Sequence, residues 1–147
     1  MPSDNFMKLG NAIHRALIKV SSGKRGWDMA GMPVLKLTTT GRKSGGARTV
    51  MLTSPLQIEG GIVIVASKGG SEKHPDWFMN LQENPEVIVE TQSGRKAMLA
   101  KIMDPDSREA RWNEIIQNFK NYGEYQNRTS RVIPLVILIP KNLSSSD

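Results

Sequence analysis

The chain has 147 residues, which at roughly 150 residues per domain predicts a single domain over residues 1–147. Hydrophobic residues make up 38% and charged residues 23%, a balance that excludes a disordered chain. Cysteine is absent and histidine occurs twice, which excludes disulfides and cysteine nucleophiles and predicts no metal site. Twenty Lys and Arg against fourteen Asp and Glu give a net charge of +6, which favours polyanionic partners or an ordinary basic surface.

The N-terminal segment has the pattern of an amphipathic basic helix over residues 1–22. Its apolar residues recur at helical spacing, at Phe6, Leu9, Ile13, Leu17 and Val20. Such a helix either covers a sheet or makes weak peripheral contact with an anionic membrane. No apolar run approaches the ~18 residues that span a bilayer, and no secretory signal is recognisable, so we expect a cytoplasmic location.

Three strands follow, joined by glycine-containing turns. Strand formers occupy Val34–Thr40, then 48–58, then 62–67, and the turn at Gly41–Gly46 separates the first two. Strands joined by such short turns predict an antiparallel meander.

The second half alternates helices with strands. We predict a helix at 75–82, strands at 86–91 and 95–102, a helix from Asp104 with Asp106 and Glu109 as its capping box, and a strand at 132–139. A polar loop is expected at 122–129 and a frayed tail at 142–147. The element order predicts an α+β, mainly β fold, a small barrel with flanking helices.

Two segments have a composition suited to ligand binding. Residues 36–48 carry four cations and no acid across a glycine-rich turn, which makes either an anion cradle or a basic hairpin. Residues 65–70 place a hydroxyl, a cation and two glycines at the end of a strand. The glycines would let a ligand approach the backbone closely, or the segment is a simple loop. Tyr122 and Tyr125 line a pocket or anchor their loop.

Taken together, these segments closely resemble the deazaflavin (F420)-dependent nitroreductase family, the A class of flavin/deazaflavin oxidoreductases. The resemblance rests on the segments at 37–45, 65–70 and 74–81, together with Arg48 and Asn84-Pro85. It implies an FMN-binding split-barrel-like fold, that is, a split β-barrel. It also implies a reductase that passes a hydride from coenzyme F420 to a quinone, enone or nitroaromatic acceptor.

The resemblance further implies roles for particular residues. The phosphate and oligoglutamate tail of the coenzyme would be held by Arg42, Lys43, Ser44 and Arg48. Ser67, Lys68 and Gly69 would lie beside the coenzyme, with Trp77 and Asn80 supporting that wall. Tyr122 and Tyr125 would face the acceptor as the catalytic residues. Thr53 and Phe119 stand where the nitroreductase has tyrosines, so both departures affect the expected acceptor pocket.

Two alternatives remain at this point. One keeps the fold but uses FMN, whose single phosphate needs fewer cations than residues 36–48 supply. The other is a non-enzymatic basic module that binds nucleic acid. Base stacking would require aromatic residues among the cations, and residues 36–48 contain none, so we expect no nucleic-acid partner.

Overall fold

The computed structural model describes residues 28–29, 31–58 and 60–141. The predicted N-terminal helix at 1–22 and the predicted frayed tail at 142–147 lie outside the described residues. The described strands are β1 (Asp28–Met29), β2 (Met32–Thr40), β3 (Ala47–Thr53), β4 (Leu56–Ile58), β5 (Gly61–Val65), β6 (Glu86–Thr91), β7 (Gly94–Ile102) and β8 (Leu135–Pro140). The described helices are α1 (Asp76–Glu83), α2 (Pro105–Asn118) and α3 (Lys120–Asn127), with a 3-10 turn at Lys68–Gly70.

The strands form one antiparallel sheet that curls into a half-barrel. Its order is β1-β2-β6-β7-β8-β5-β4. Strand β3 is outside this order and pairs with β2 on the edge opposite β6. The last strand joins two parts of the sheet, because β8 pairs with β7 on one side and with β5 on the other. The predicted mainly β architecture with flanking helices is therefore confirmed.

Both faces of the central strands are buried. On β5, Ile64 packs into one core cluster with Trp77 and Phe78 of α1. Its neighbours Val63 and Val65 pack into a second cluster below α2 and α3. Alternation along a strand sends successive side chains to opposite faces, so the sheet separates two cores.

The predicted meander of three strands is wrong. The expected strand at 48–58 is divided into β3 and β4 at Ser54-Pro55, where the proline has no N–H for a ladder. The Ser54 hydroxyl is 2.9 Å from the Leu56 carbonyl oxygen and 2.6 Å from that of Val63. The chain therefore turns here, and β5 pairs with β4 and β8 rather than with β3.

Two predictions about α2 and its surroundings are also wrong. Helix α2 is capped by Asp104, whose carboxylate accepts a hydrogen bond from the Ser107 N–H at 2.8 Å, and not by Asp106. The last strand begins at Leu135 rather than at Val132. Val132 precedes the strand and is 66% exposed.

The expected polar loop at 122–129 is also wrong, because most of it belongs to α3. Asparagine and glycine in this segment have poor helix propensity, but tertiary contacts override that preference. Tyr122 is buried in the second core, and the Gln126 amide donates to the Arg131 carbonyl at 2.7 Å. No helix in the described part of the chain is long and apolar enough to cross a membrane.

Candidate functional site

A cleft of about 530 Å³ lies between the β2–β3 hairpin and helix α1. Its lining consists of Gly41, Arg42, Lys43, Ser44, Arg48, Thr49, Val50, Asp76, Trp77 and Asn80. The structure thus brings together six of the residues that the sequence assigned to the coenzyme: Arg42, Lys43, Ser44, Arg48, Trp77 and Asn80.

The turn between β2 and β3 is tightly built. The Gly41 N–H donates to the Gly46 carbonyl at 2.7 Å, and the Gly45 N–H donates to the Gly41 carbonyl at 2.8 Å. A Cβ on Gly41 would lie 2.8 Å from the Ser44 hydroxyl oxygen, so only glycine fits there without a shift. That hydroxyl accepts from the Gly46 N–H and from the Arg48 guanidinium, each at 3.1 Å. Ser44 therefore positions the Arg48 side chain at the mouth of the cleft.

Asn80 attaches this turn to helix α1. Its amide oxygen accepts from the Arg42 backbone N–H at 3.2 Å and from the Arg42 guanidinium at 2.9 Å. Its amide nitrogen donates to the Thr39 hydroxyl at 3.1 Å. Both ends of a side chain that is only 3% exposed are thus satisfied by the protein, so Asn80 fixes the position of the turn.

The cleft carries an excess of positive charge. Arg42 approaches the Asp76 carboxylate at 3.4 Å, but the Asp76 side chain is 80% exposed, and such a pair is weak. Lys43 and Arg48 have no acidic partner among the described residues. Their charges are therefore available to an anion in the cleft.

Two apolar side chains also line the cleft. Trp77 is buried against Phe78 in an edge-to-face contact with ring centroids 6.3 Å apart. Val50, which is half-buried, lines the cleft from β3. The lining of this one cleft therefore combines cations with apolar side chains.

The predicted coenzyme residues Ser67, Lys68 and Gly69 do not line this cleft. Ser67 directly precedes the 3-10 turn at Lys68–Gly70, and the backbone φ angles of Lys68 and Gly69 are positive, at 45° and 63°. Gly70 continues this conformation with φ 87°, and a Cβ there would lie 2.7 Å from the Tyr125 carbonyl oxygen. The turn therefore packs directly against helix α3.

The two predicted catalytic tyrosines lie on α3 and differ in exposure. Tyr122 is buried and its hydroxyl lies 3.6 Å from the Met32 sulfur. Burial raises the pKa of the Tyr122 phenol, and a hydrogen bond with Thr53 partly opposes that rise. Tyr125 is half-buried, packs edge-to-face on Tyr122 with centroids 5.9 Å apart, and lies below the Arg128 guanidinium.

The contacts of Arg131, among them one with His74, are not among the features predicted from the sequence. The Arg131 guanidinium donates toward the His74 Nδ1 at 3.1 Å and to several carbonyl oxygens of the segment after β5. Burial, and then the charge of Arg131, lower the pKa of His74. The contacts join residues about 60 positions apart, so no local pattern in the sequence indicates them.

The chain is similar in sequence to a known protein family and its members. Residues 11–140 match the family model described as F420H(2)-dependent quinone reductase. The F420H(2)-dependent quinone reductase Rv1261c of Mycobacterium tuberculosis (strain ATCC 25618 / H37Rv) is 39% identical over 130 residues, which cover 86% of this chain and 87% of the relative.

Two solved structures are also similar. One, described as an F420-H2 dependent reductase (FDR-A), is 37% identical with a TM-score of 0.64 over 72% of this chain and 93% of the other. Another, described as a domain-swapped dimer, is 32% identical with a TM-score of 0.66 over 86% of this chain and 96% of the other.

Proposed function

The chain belongs to the F420H(2)-dependent quinone reductase family, and we propose that its cleft binds coenzyme F420 for the reduction of a quinone. The chain is thus an oxidoreductase of the split β-barrel type, with a deazaflavin as its cofactor and a quinone-type small molecule as its acceptor. Enones and nitroaromatics belong to the wider set of acceptors that the sequence suggested.

The observation that carries the proposal is the pair of cations without acidic partners in the cleft. Coenzyme F420 combines a flat ring system with a phosphodiester and a chain of carboxylates. Lys43 and Arg48 offer two charges that no described acid neutralises, and the apolar Trp77 and Val50 line the same cleft. Cations and apolar side chains in one cleft match the two parts of this coenzyme.

Within this proposal, Arg42 has a different role from its neighbours. Its guanidinium is held by Asn80 and Asp76, so it shapes the cleft as well as contributing charge. Lys43, Ser44 and Arg48 face the anionic part of the coenzyme, with Ser44 holding Arg48 in place.

The chemistry of the reaction lies in the coenzyme. A reduced deazaflavin supplies a hydride, so the protein itself has to bind, orient and shield the reactants rather than provide a nucleophile. The turn at Ser67, Lys68 and Gly69 is placed beside the ring in this proposal because the family resemblance implies it; the turn lies outside the cleft lining and adjoins helix α3.

Tyr122 and Tyr125 act on the acceptor side. The Tyr125 hydroxyl has no hydrogen-bond partner among the described residues and is free to donate to the oxygen of an acceptor. Tyr122 supports that ring from the core. Replacing Tyr125 with Phe is expected to lower the turnover rate with quinones while coenzyme affinity stays within a few-fold, and loss of coenzyme binding would instead place Tyr125 at the coenzyme.

The decisive experiment is a titration of the purified apo-protein with oxidised coenzyme F420 and, separately, with FMN. We expect micromolar binding of F420, read from its fluorescence, and much weaker binding of FMN. The proposal fails if FMN binds more tightly. Addition of a menaquinone analogue to the protein with reduced coenzyme then tests the acceptor class.

A weak contact with anionic membranes through residues 1–22 also remains a proposal. It rests on the basic residues of that segment, Lys8, Arg15 and Lys19, all of which lie outside the described residues. Co-sedimentation with anionic liposomes should decrease when the residues before Gly23 are deleted. Equal co-sedimentation of both proteins would contradict it.

A further inference from the structure

Arg131 lies at the centre of the segment that follows β5. Its Nε donates to the Ser71 carbonyl at 2.7 Å, and its Nη2 donates to the carbonyls of Ala66 at 3.2 Å and Ser67 at 2.9 Å. Its Nη1 lies 3.1 Å from the His74 Nδ1. One guanidinium therefore holds both ends of the turn that contains Lys68 and Gly69.

These contacts use most of the donors that an arginine has. A guanidinium presents its N–H groups in a fixed planar fork, whereas a lysine ammonium is a compact point charge. Arg131 forms no ion pair with an acidic residue in the described part of the chain. Its positive charge is thus stabilised by the carbonyl dipoles of this one segment.

The contacts also determine where the backbone N–H groups of the turn point. In a planar trans peptide the N–H and the C=O point in opposite directions. Because the carbonyls of Ala66 and Ser67 face Arg131, the N–H groups of the residues that follow them face away from it.

The turn has an uncommon conformation that needs support from outside. Lys68 has a φ of 45°, which residues with a side chain rarely adopt, and two glycines with positive φ follow it. A second arginine helps to hold it, since the Arg128 guanidinium donates to the Gly69 carbonyl at 3.3 Å. Both arginines follow α3, three and six residues after Tyr125.

We propose that Arg131 is a positioning residue for the coenzyme. It holds the Ser67–Gly69 turn in the shape that receives the deazaflavin ring. The inference rests on the proposed function, because it takes this turn to flank the coenzyme. It assigns to Arg131 a role through the turn and no direct contact with the reactants.

The test compares Arg131→Met with Arg111→Met, which removes the same charge from α2 without touching the turn. Amide hydrogen exchange of residues 66–74 in the apo-protein should accelerate in Arg131→Met only. Coenzyme F420 affinity should fall by roughly tenfold or more in Arg131→Met and stay within twofold in Arg111→Met. The KM for the coenzyme should rise while the KM for the quinone stays near the wild-type value.

Two further measurements separate positioning from general instability. Methylguanidinium added to Arg131→Met should restore part of the coenzyme affinity. Arg131→Lys keeps the charge but lacks the fork, so it should remain weaker than wild type even where its urea midpoint is normal. If Arg131→Met does not fold, Arg131→Lys alone decides the question.

Each remaining outcome is informative. If the wild-type protein binds F420 and the folded Arg131 variants bind it equally well, this inference is wrong while the proposed function stands. If the wild-type protein does not bind F420 at all, the proposed function and this inference are both wrong. Unchanged hydrogen exchange in Arg131→Met would overturn the role of Arg131 in holding the turn.

Discussion

Replacing Arg48 with Ala is expected to weaken the binding of coenzyme F420 roughly ten- to hundredfold. Arg48 is exposed, and its contact with the Ser44 hydroxyl at 3.1 Å leaves its charge unneutralised. A hydrogen bond to a charged group contributes ~1.5–3 kcal/mol, and a tenfold change in affinity corresponds to ~1.4 kcal/mol. The free energy of unfolding should barely change, because an exposed side chain on this turn contributes little to either core.

The assay is a fluorescence titration at low and high salt, with the complete coenzyme and with an analogue that lacks the phosphate and glutamates. Salt should weaken wild-type binding more than binding by Arg48→Ala, because exposed charges are screened within ~10 Å at 0.1 M. Lys101→Ala, an exposed cation outside the cleft, is the charge-matched control and should bind like wild type. Equal losses for both ligands, or an equal loss in the control, would refute the reasoning.

Three further predictions concern the parts that shape the site. Asn80→Leu should lower the free energy of unfolding by about 2 kcal/mol, since it leaves buried polar partners unsatisfied, and an unchanged urea midpoint would contradict this. Gly70→Ala should cost more stability than Gly45→Ala, because an added Cβ would lie 2.7 Å from a backbone oxygen at Gly70 and meets nothing within 4 Å at Gly45; equal midpoints would argue against that packing. The lowered pKa of His74 means that the unfolded chain binds a proton more readily, so stability should decrease as the pH falls below the ordinary histidine pKa, and His74→Gln should flatten that dependence in urea titrations.

The sequence predicts those parts of the fold that local patterns determine. The strand at Glu86–Thr91 and the helix that begins after Pro75 occur at the predicted positions, because alternation and the proline at the helix start are local signals. The cation-rich turn likewise reveals one end of the cleft. Helix α3 was missed because its stability comes from packing and not from its own residues.

The remaining parts of the site depend on contacts between distant residues. Asn80 meets Thr39 across 41 positions, and Arg131 meets Ser71 across 60 positions. A single sequence carries no periodicity that links such pairs. The partner of a buried amide or guanidinium therefore emerges only once the sheet has brought these segments together.

The position of β8 in the sheet has a consequence for the order in which the protein can fold. Strands β4 and β5 are connected to the other strands of the described sheet only through β8, although β8 is the last described strand in the chain. During synthesis, nearly half of the chain is therefore made between β5 and β8, the strand that pairs with the free edge of the β4–β5 hairpin. Until residues 135–140 arrive, β5 and β7 each keep an open edge, which is the kind of surface at which chains aggregate or exchange strands. Assembly of the complete sheet is thus a late event, and the contacts of Arg131 with the turn likewise join segments about 60 residues apart.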